Sequence, residues 1–209
     1  MALPPLLRTR RYAQRDVPYG PRGGVLACDS FDGRTAIGST DGIPHRSGAG
    51  KAWTQQSGTI VCASGSLKAS SAGIGTIDPG VADAFRVRFQ ISGATSANNN
   101  RFAVRLTDVN NYVGLVITST AISWVTIIAG TPAAIGSGGG STSPTVGDVV
   151  EISVNGNALS GSLFRAGALV GTAATATNST GAGVTPLGVR FADTTFAMRR
   201  SSRETAIRF

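Results

Sequence analysis

Glu151 and Glu204 are the only glutamates in this 209-residue chain, and that scarcity decides the first question of chemistry. Glycoside hydrolysis needs two carboxyl groups a few ångströms apart across the sugar bond. Glu151 lies in the alternating run 148–154, where Val149 and Ser153 share its face and no second acid does. Glu204 falls close to the last residue. His45 is the single histidine, so a Ser-His-Asp arrangement would have to use it. It sits in IPHRSGAG, without a nucleophile-elbow motif. One histidine and two separated cysteines, Cys28 and Cys62, give no zinc-binding spacing, and the sequence does not say whether the cysteines are joined. GSGGGS at 136–141 lacks the Lys-Ser/Thr of a phosphate-binding loop. These residues point away from an enzyme.

Binding offers more. Asp29, Asp32 and Asp41 can gather oxygen ligands for calcium in one loop, although DSFDG is not an EF-hand loop, and acids capping turns explain them as simply. No other cofactor is expected. Trp53 lies in a long Gly/Ser/Asp-rich stretch, 32–57, and is a candidate platform for stacking on a sugar ring. Trp124 alternates with Ile122 and Ile128 and reads as core. Arg86, Arg88, Arg101 and Arg105 alternate with apolar residues in two runs. If those runs pair, the four arginines share one wet face. Like charges set opposite each other are destabilising unless neutralised. Acids of a partner subunit or an anionic glycan would do so, and simple solvation is the plainer account.

The net charge of +8 is unevenly placed. Residues 1–23 carry +4, residues 199–209 carry +3, and the 175 residues between carry +1. A nucleic-acid-binding domain more often shows a basic face on the fold itself, so that class is disfavoured. Basic ends suit docking into acidic grooves on neighbouring subunits, or loose contact with a polyanion. The first segment also holds Pro4, Pro5, Pro18 and Pro21, which forbid a regular helix or central strand. It reads as an extended arm. Leu6, Leu7, Arg8, Arg10, Arg11, Tyr12, Arg15 and Tyr19 are its candidate contacts with a partner. The opening lacks a signal peptide's order of basic end, apolar run and cleavage site, so synthesis in the cytoplasm is expected. No run of about 18 apolar residues exists to span a membrane.

The elements that must position these groups are strands. Phe85, Val87, Phe89 and Ile91 point one way, with Arg86, Arg88 and Gln90 the other. Phe102, Val104 and Leu106 alternate with Arg101, Ala103 and Arg105, and Val113, Leu115 and Ile117 resume the pattern after DVNN at 108–111. Period-2 alternation of this kind marks strands with one dry face. The three runs are expected to neighbour one another. Further strands are predicted at 25–31, 59–63, 66–70, 121–128, 148–154, 158–165, 168–172, 187–191 and 195–198. Ser64-Gly65 and Asn155-Gly156-Asn157 are predicted hairpin turns. Residues 129–147 and 173–184 are predicted loops. With 28 glycines and 14% charged residues, the chain is poor in helix formers. About a dozen short strands with regular turn signals predict an all-β, antiparallel β-sandwich.

VRLTDVNNYVGLVI (104–117) resembles the strand–turn–strand of concanavalin A-like, laminin-G-like jelly rolls, and GDVVEISVNGNALSGSL (147–163) is similar to their later hairpin. CDSFDG at 28–33 and VRFADTTFAMRR at 189–200 fall where such domains begin and end. Of the family's turn, Asp108, Asn110, Asn111 and Tyr112 match, as fold elements and not as a ligand site. Domains of this look with a basic Pro-containing arm resemble accessory structural proteins of tailed bacteriophages, especially minor tail proteins. The resemblance implies a jelly roll over 24–198, an arm over 1–23 and a basic tail over 199–209. It also implies a non-enzymatic virion component, in the tail ahead of the capsid, docking on other virion proteins and on copies of itself. The alternatives are a carbohydrate-binding module that touches host surface glycans, with loops 32–57 and 129–147 as its site, or a capsid decoration protein.

Overall fold

A computed structural model describes Phe31, Ile37, residues 51–140 and residues 142–201. The arm contacts Leu6 to Tyr19, the calcium candidates Asp29, Asp32 and Asp41, His45, and strand 25–30 lie outside the described residues. The described part is all β, with thirteen strands and no helix.

In chain order the strands are β1 (Trp53–Ala63), β2 (Ser66–Ile77), β3 (Ala84–Ile91), β4 (Asn100–Asp108), β5 (Asn111–Ile117), β6 (Ile122–Ile128) and β7 (Thr131–Ile135). Then come β8 (Val149–Asn155), β9 (Ala158–Arg165), β10 (Ala168–Leu169), β11 (Ala174–Thr177), β12 (Leu187–Phe191) and β13 (Ala197–Arg199). Every pairing is antiparallel, in the order β10-β9-β8-β3-β13-β2-β12-β4-β5-β6-β7, with β1 on β2 and β11 on β9. One curled sheet thus makes both layers of a sandwich. The strand that turns the corner is β2. Its first residues, Ser66 to Lys68, pair with β13, and its last, Gly73 to Ile77, pair with β12. The corner is possible because Gly58 and Gly73 cross without side chains. A Cβ on Gly73 would lie 2.2 Å from the Ser57 carbonyl oxygen, a clash that only glycine avoids.

The local signals hold where the turn chemistry is local. Ser64 and Gly65 both take positive φ (52° and 68°), as a two-residue hairpin between β1 and β2 requires. Asp108 accepts hydrogen bonds from the Asn110 backbone N–H at 2.7 Å and the Asn111 side-chain amide at 2.9 and 3.0 Å, closing the β4–β5 turn. Those bonds hold its carboxyl below the usual range, the Asn111 contact being the largest cause. Asn155 and Ala158 flank the β8–β9 turn as predicted.

Longer-range pairing differs from the expectation. The runs 84–91 and 101–106 are not neighbours: β3 pairs with β8 and β13, and β4 with β5 and β12. They face each other across the core, where Phe89 and Phe102 stack with centroids 5.5 Å apart. Leu115 of β5 packs against Gly161 of β9, where an added Cβ would come within 2.6 Å of a Leu115 methyl. Trp124 of β6 is fully buried, and its indole N–H donates to the Ala174 carbonyl at 3.0 Å. Burying side chains of this size stabilises by about 1.5–3 kcal/mol each, so these cross-layer contacts hold the sandwich shut. The predicted loop 129–147 contains a strand, β7, beyond an Ala129-Gly130 turn of positive φ. The predicted loop 173–184 likewise contains β11. Strand β1 begins at Trp53, so the long excursion ends earlier than the composition suggests.

Candidate functional site

The four arginines separate, and a single irregularity separates two of them. In β4, Ala103 pairs with Gly114 but Arg105 pairs with Val113, so Val104 is an extra residue. A bulge of this kind shifts the phase of everything after it. Phe102 opposite Leu115 is inside. After the bulge Arg105, opposite Val113, turns inward, and Leu106, opposite Tyr112, turns outward. Arg105 is wholly buried at one end of the sandwich. Its guanidinium donates to Asp83 Oδ1 at 3.1 Å, to the Asn178 carbonyl at 2.6 Å and to the Gly156 carbonyl. Three loops are tied by one side chain. Arg101 stays on the outer face of the second layer but is only 8% exposed, and it donates to the Tyr112 hydroxyl at 3.0 Å. Neither arginine is free to hold a ligand. The expected shared wet face of Arg86, Arg88, Arg101 and Arg105 does not exist, because the two strands lie in opposite layers.

Trp53 is also removed from the list of platforms. It is 5% exposed and packs against Phe31 with centroids 6.0 Å apart. As the first residue of β1 it points into the core, so its ring face is not offered to a sugar.

Arg86 and Arg88 remain outside. They stand on β3 in the outer face of the first layer, with side chains 58% and 34% exposed. The register builds a grid around them. Arg86 is level with Ser153 of β8, Ser160 of β9 and Thr175 of β11. Arg88 is level with Glu151 and Ser162. Ala84 is level with Asn155, Ala158 and Thr177, and Gln90 with Val149 and Phe164. The alternate positions, Ile152, Val154, Leu159 and Leu163, are buried in the core. Hence six of the ten outward positions of β8, β9 and β11 are small hydroxyl or amide residues: Ser153, Asn155, Ser160, Ser162, Thr175 and Thr177.

Two hollows mark this face. One of about 500 Å³ is lined by the polar residues Ser137, Ser153, Asn155, Ser160, Thr175 and Thr177 together with Gly136, Ala158, Leu159 and Ala176. It lies over the seam where the curled sheet meets itself: Ser137 and Thr175 exchange backbone hydrogen bonds at 2.8 and 3.0 Å, and their hydroxyls lie 2.9 Å apart. The other, about 430 Å³, is bounded by Arg88, Gln90, Val149 and Phe164. Between them runs the charged row. Glu151 accepts ion-pair contacts from Arg86 Nε at 3.7 Å and Arg88 Nε at 3.6 Å. The Arg88 guanidinium also lies 5.7 Å from the centre of the Phe164 ring. One end of the face is fixed by Asp148. Burial raises its carboxyl, but the Arg165 guanidinium and Thr145 outweigh that and hold it below the ordinary value. Arg165 donates to both its oxygens at 2.8 Å.

Such a face offers hydroxyl, amide and guanidinium hydrogen-bonding groups over a concave surface. It suits a ligand rich in hydroxyls. Sequence reasoning named Arg86 and Arg88 as candidates and did not name Ser153, Asn155, Ser160 or Thr175, which the register sets beside them. The signal was present as alternation of Ser with Ile, Val and Leu through 150–163. Among the described residues no group of three or more His, Cys, Asp or Glu is placed to hold a metal ion.

No family model matches the chain, and no curated protein matches it. Solved structures do. The carbohydrate-binding module CBM66 from Bacillus subtilis superposes with a TM-score of 0.54 at 15% identity, covering 70% of this chain and 91% of the module. A putative glycosyl hydrolase from Parabacteroides distasonis gives 0.45 at 14% identity, with 71% and 88% covered. A conserved carbohydrate esterase from the Shiga toxin-encoding bacteriophage phi24B gives 0.41 at 14%, with 84% and 94% covered. At such identities the first likeness shows the fold: this chain is built as an all-β, jelly-roll-like sandwich.

Proposed function

We propose that the chain is a non-catalytic carbohydrate-recognition module that binds glycan on the outer face of its first layer. The observation that carries this reading is the hollow lined by Ser137, Ser153, Asn155, Ser160, Thr175 and Thr177. Pockets for small ligands are concave and fix them through a few placed polar groups. Sharing a fold with a carbohydrate-binding module supports the reading. A glycan array probed with the full chain tests it. Binding should be lost in Ser160→Phe, which fills the hollow from an outward position, while the circular dichroism spectrum is unchanged. A full chain that captures no glycan at all overturns the proposal.

A second reading has its own support in the sequence. The basic surplus lies in residues 1–23 and 199–209, with +4 and +3 against +1 between. We infer an accessory structural protein of a tailed-bacteriophage virion, a minor tail protein ahead of a capsid decoration protein. Its terminal segments would attach to other virion subunits or to further copies. The two roles are compatible: the ends attach and the sandwich reads a host surface. Deleting residues 1–23 should abolish incorporation into particles and leave glycan binding intact. Normal incorporation of the shortened chain sinks the attachment role.

A further inference from the structure

The outer face of the first layer is charged out of proportion to the body that bears it. By register, Arg199 of β13 stands level with Gln90 of β3, and Lys68 of β2 stands two strands from β3 on the same side. Their inward neighbours Leu67 and Met198 are in the core. So the outward positions of β2, β13, β3, β8 and β9 present Lys68, Arg86, Arg88 and Arg199 against Glu151 alone. That is four cations to one anion, where residues 24–199, which hold all of these groups, carry only +2 as a whole. Field from like charges gathered on one surface steers and holds opposite charge.

Those cations are incompletely used. Glu151 meets Arg86 and Arg88 only through Nε and at ion-pair distance. Among the described residues the remaining N–H groups of both guanidiniums have no hydrogen-bond acceptor. A guanidinium with its fork free is matched to a carboxylate or sulfate, which it can grip by two parallel hydrogen bonds. Arg86 and Arg88 are two residues apart along β3, about 7 Å. The row that Arg86 heads continues directly into the hollow through Ser153 and Ser160.

We propose that this face selects acidic glycans: the hollow takes the hydroxyl-rich part of a sugar chain, and Arg86 and Arg88 take a carboxylate or sulfate on the adjoining sugar. The proposal rests on the carbohydrate reading above. Nucleic acid is also a polyanion, but single-strand binders present rings for bases to stack on. Here the ring on the face, Phe164, has the Arg88 guanidinium against it.

The test is calorimetric titration of the full chain with two matched pairs, oligogalacturonate against its methyl ester, and dextran sulfate against dextran. At least one charged member should bind about tenfold more tightly than its neutral partner, and the gap should shrink as salt rises. The double variant Arg86→Gln/Arg88→Gln should bind both members of that pair alike. Ser160→Phe should weaken both members. Equal binding of charged and neutral members by the unaltered chain overturns the acidic selectivity and leaves the carbohydrate reading standing. Binding of a single-stranded oligonucleotide as tightly as the charged glycan, insensitive to Ser160→Phe, also overturns it. Failure to bind any glycan in either pair or on an array removes both.

Discussion

The two outer faces of the sandwich treat the same residue type in opposite ways. On the second layer Arg101 is nearly covered and spends a donor on Tyr112, beside an apolar patch of Ile74, Ala103, Leu106 and Ile127. At that layer's rim Arg105 has left the face altogether and ties three loops. On the first layer Arg86 and Arg88 stay at the surface, with Glu151 and Phe164 for company among the described residues. All four read much alike in the sequence: Arg86, Arg88 and Arg105 each lie between two apolar residues, and Arg101 precedes one. What an arginine does here is decided by strand pairing and by one bulge, and not by its local context. The faces should therefore respond to substitution in opposite ways: the second layer in stability, the first in binding.

The widest gap is expected at Arg105. Arg105→Met keeps the volume of the stem but removes a buried charge that satisfies Asp83 and two backbone carbonyls. Loss of several hydrogen bonds to a charged group, with partners left unsatisfied, costs about 3 kcal/mol. Urea unfolding should show it as a lower midpoint. A change under about 1 kcal/mol at Arg105 would mean the three loops are held by other contacts.

Next comes the crossing from one layer to the other, between β12 and β13. Asp193 there accepts from the Ser96 hydroxyl, from Asn98 and Asn100 amides at 3.3 and 3.2 Å, and from the Thr195 and Phe196 backbone N–H groups at 2.9 Å each. Partial burial pushes the carboxyl up, but the bonds from Ser96, Phe196, Thr195 and Asn100 outweigh it and hold it far below the usual range. A carboxyl depressed in the folded state contributes stability that is fully present above the unfolded value, about 3.9, and is lost as pH falls below it. Asp193→Ala should cost about 2 kcal/mol at pH 7. The milder Asp193→Asn should flatten the fall in unfolding midpoint between pH 4 and pH 2, read by urea titration across that range. An unflattened profile would assign the acid sensitivity to Asp148 and Asp108, whose carboxyls are depressed in the same direction.

Smaller still is Tyr112→Phe. It removes the one hydroxyl that receives Arg101 and leaves a covered guanidinium short of a partner, at a cost of about 1–2 kcal/mol. Thermal unfolding measures it, and glycan binding on the opposite layer should be unchanged.

Much of this fold was legible because its signals are local. DVNN and Asn155-Gly156-Asn157 announce turns by their own side chains and backbone freedom, and Phe85 to Ile91 announces a strand by alternation. The bulge at Val104 was not legible, since an apolar β-branched residue carries no mark of being the extra one. With the phase lost there, Arg105 was misplaced. Strand β7 was hidden behind Pro132, which an edge strand tolerates. Trp53 was misread because the residues before it are turn formers, while its burial depends on Phe31 and the far end of β2. The proposed binding face escaped for a related reason. Ser153, Ser160 and Thr175 are far apart in the chain, and only the pairing of β8, β9 and β11 sets them in a row.

The smallest stability effect is expected on the face that should matter most for binding. Arg86 is more than half exposed, and its contact with Glu151 is long. Exposed ion pairs of this kind contribute about 0–1 kcal/mol. Glu151 keeps Arg88 when Arg86 goes, so Arg86→Met should shift the unfolding midpoint within error, about 0.5 kcal/mol. Arg88→Met should cost slightly more, because its guanidinium also covers Phe164, a contact worth about 0.5–1 kcal/mol. Arg86→Met should nonetheless weaken capture of a charged glycan and leave its neutral partner untouched, because the hollow is lined by other residues. A stability loss at Arg86 as large as that at Arg105 would erase the contrast between the layers. It would return Arg86 to the structural arginines and leave the first layer without a residue reserved for a ligand.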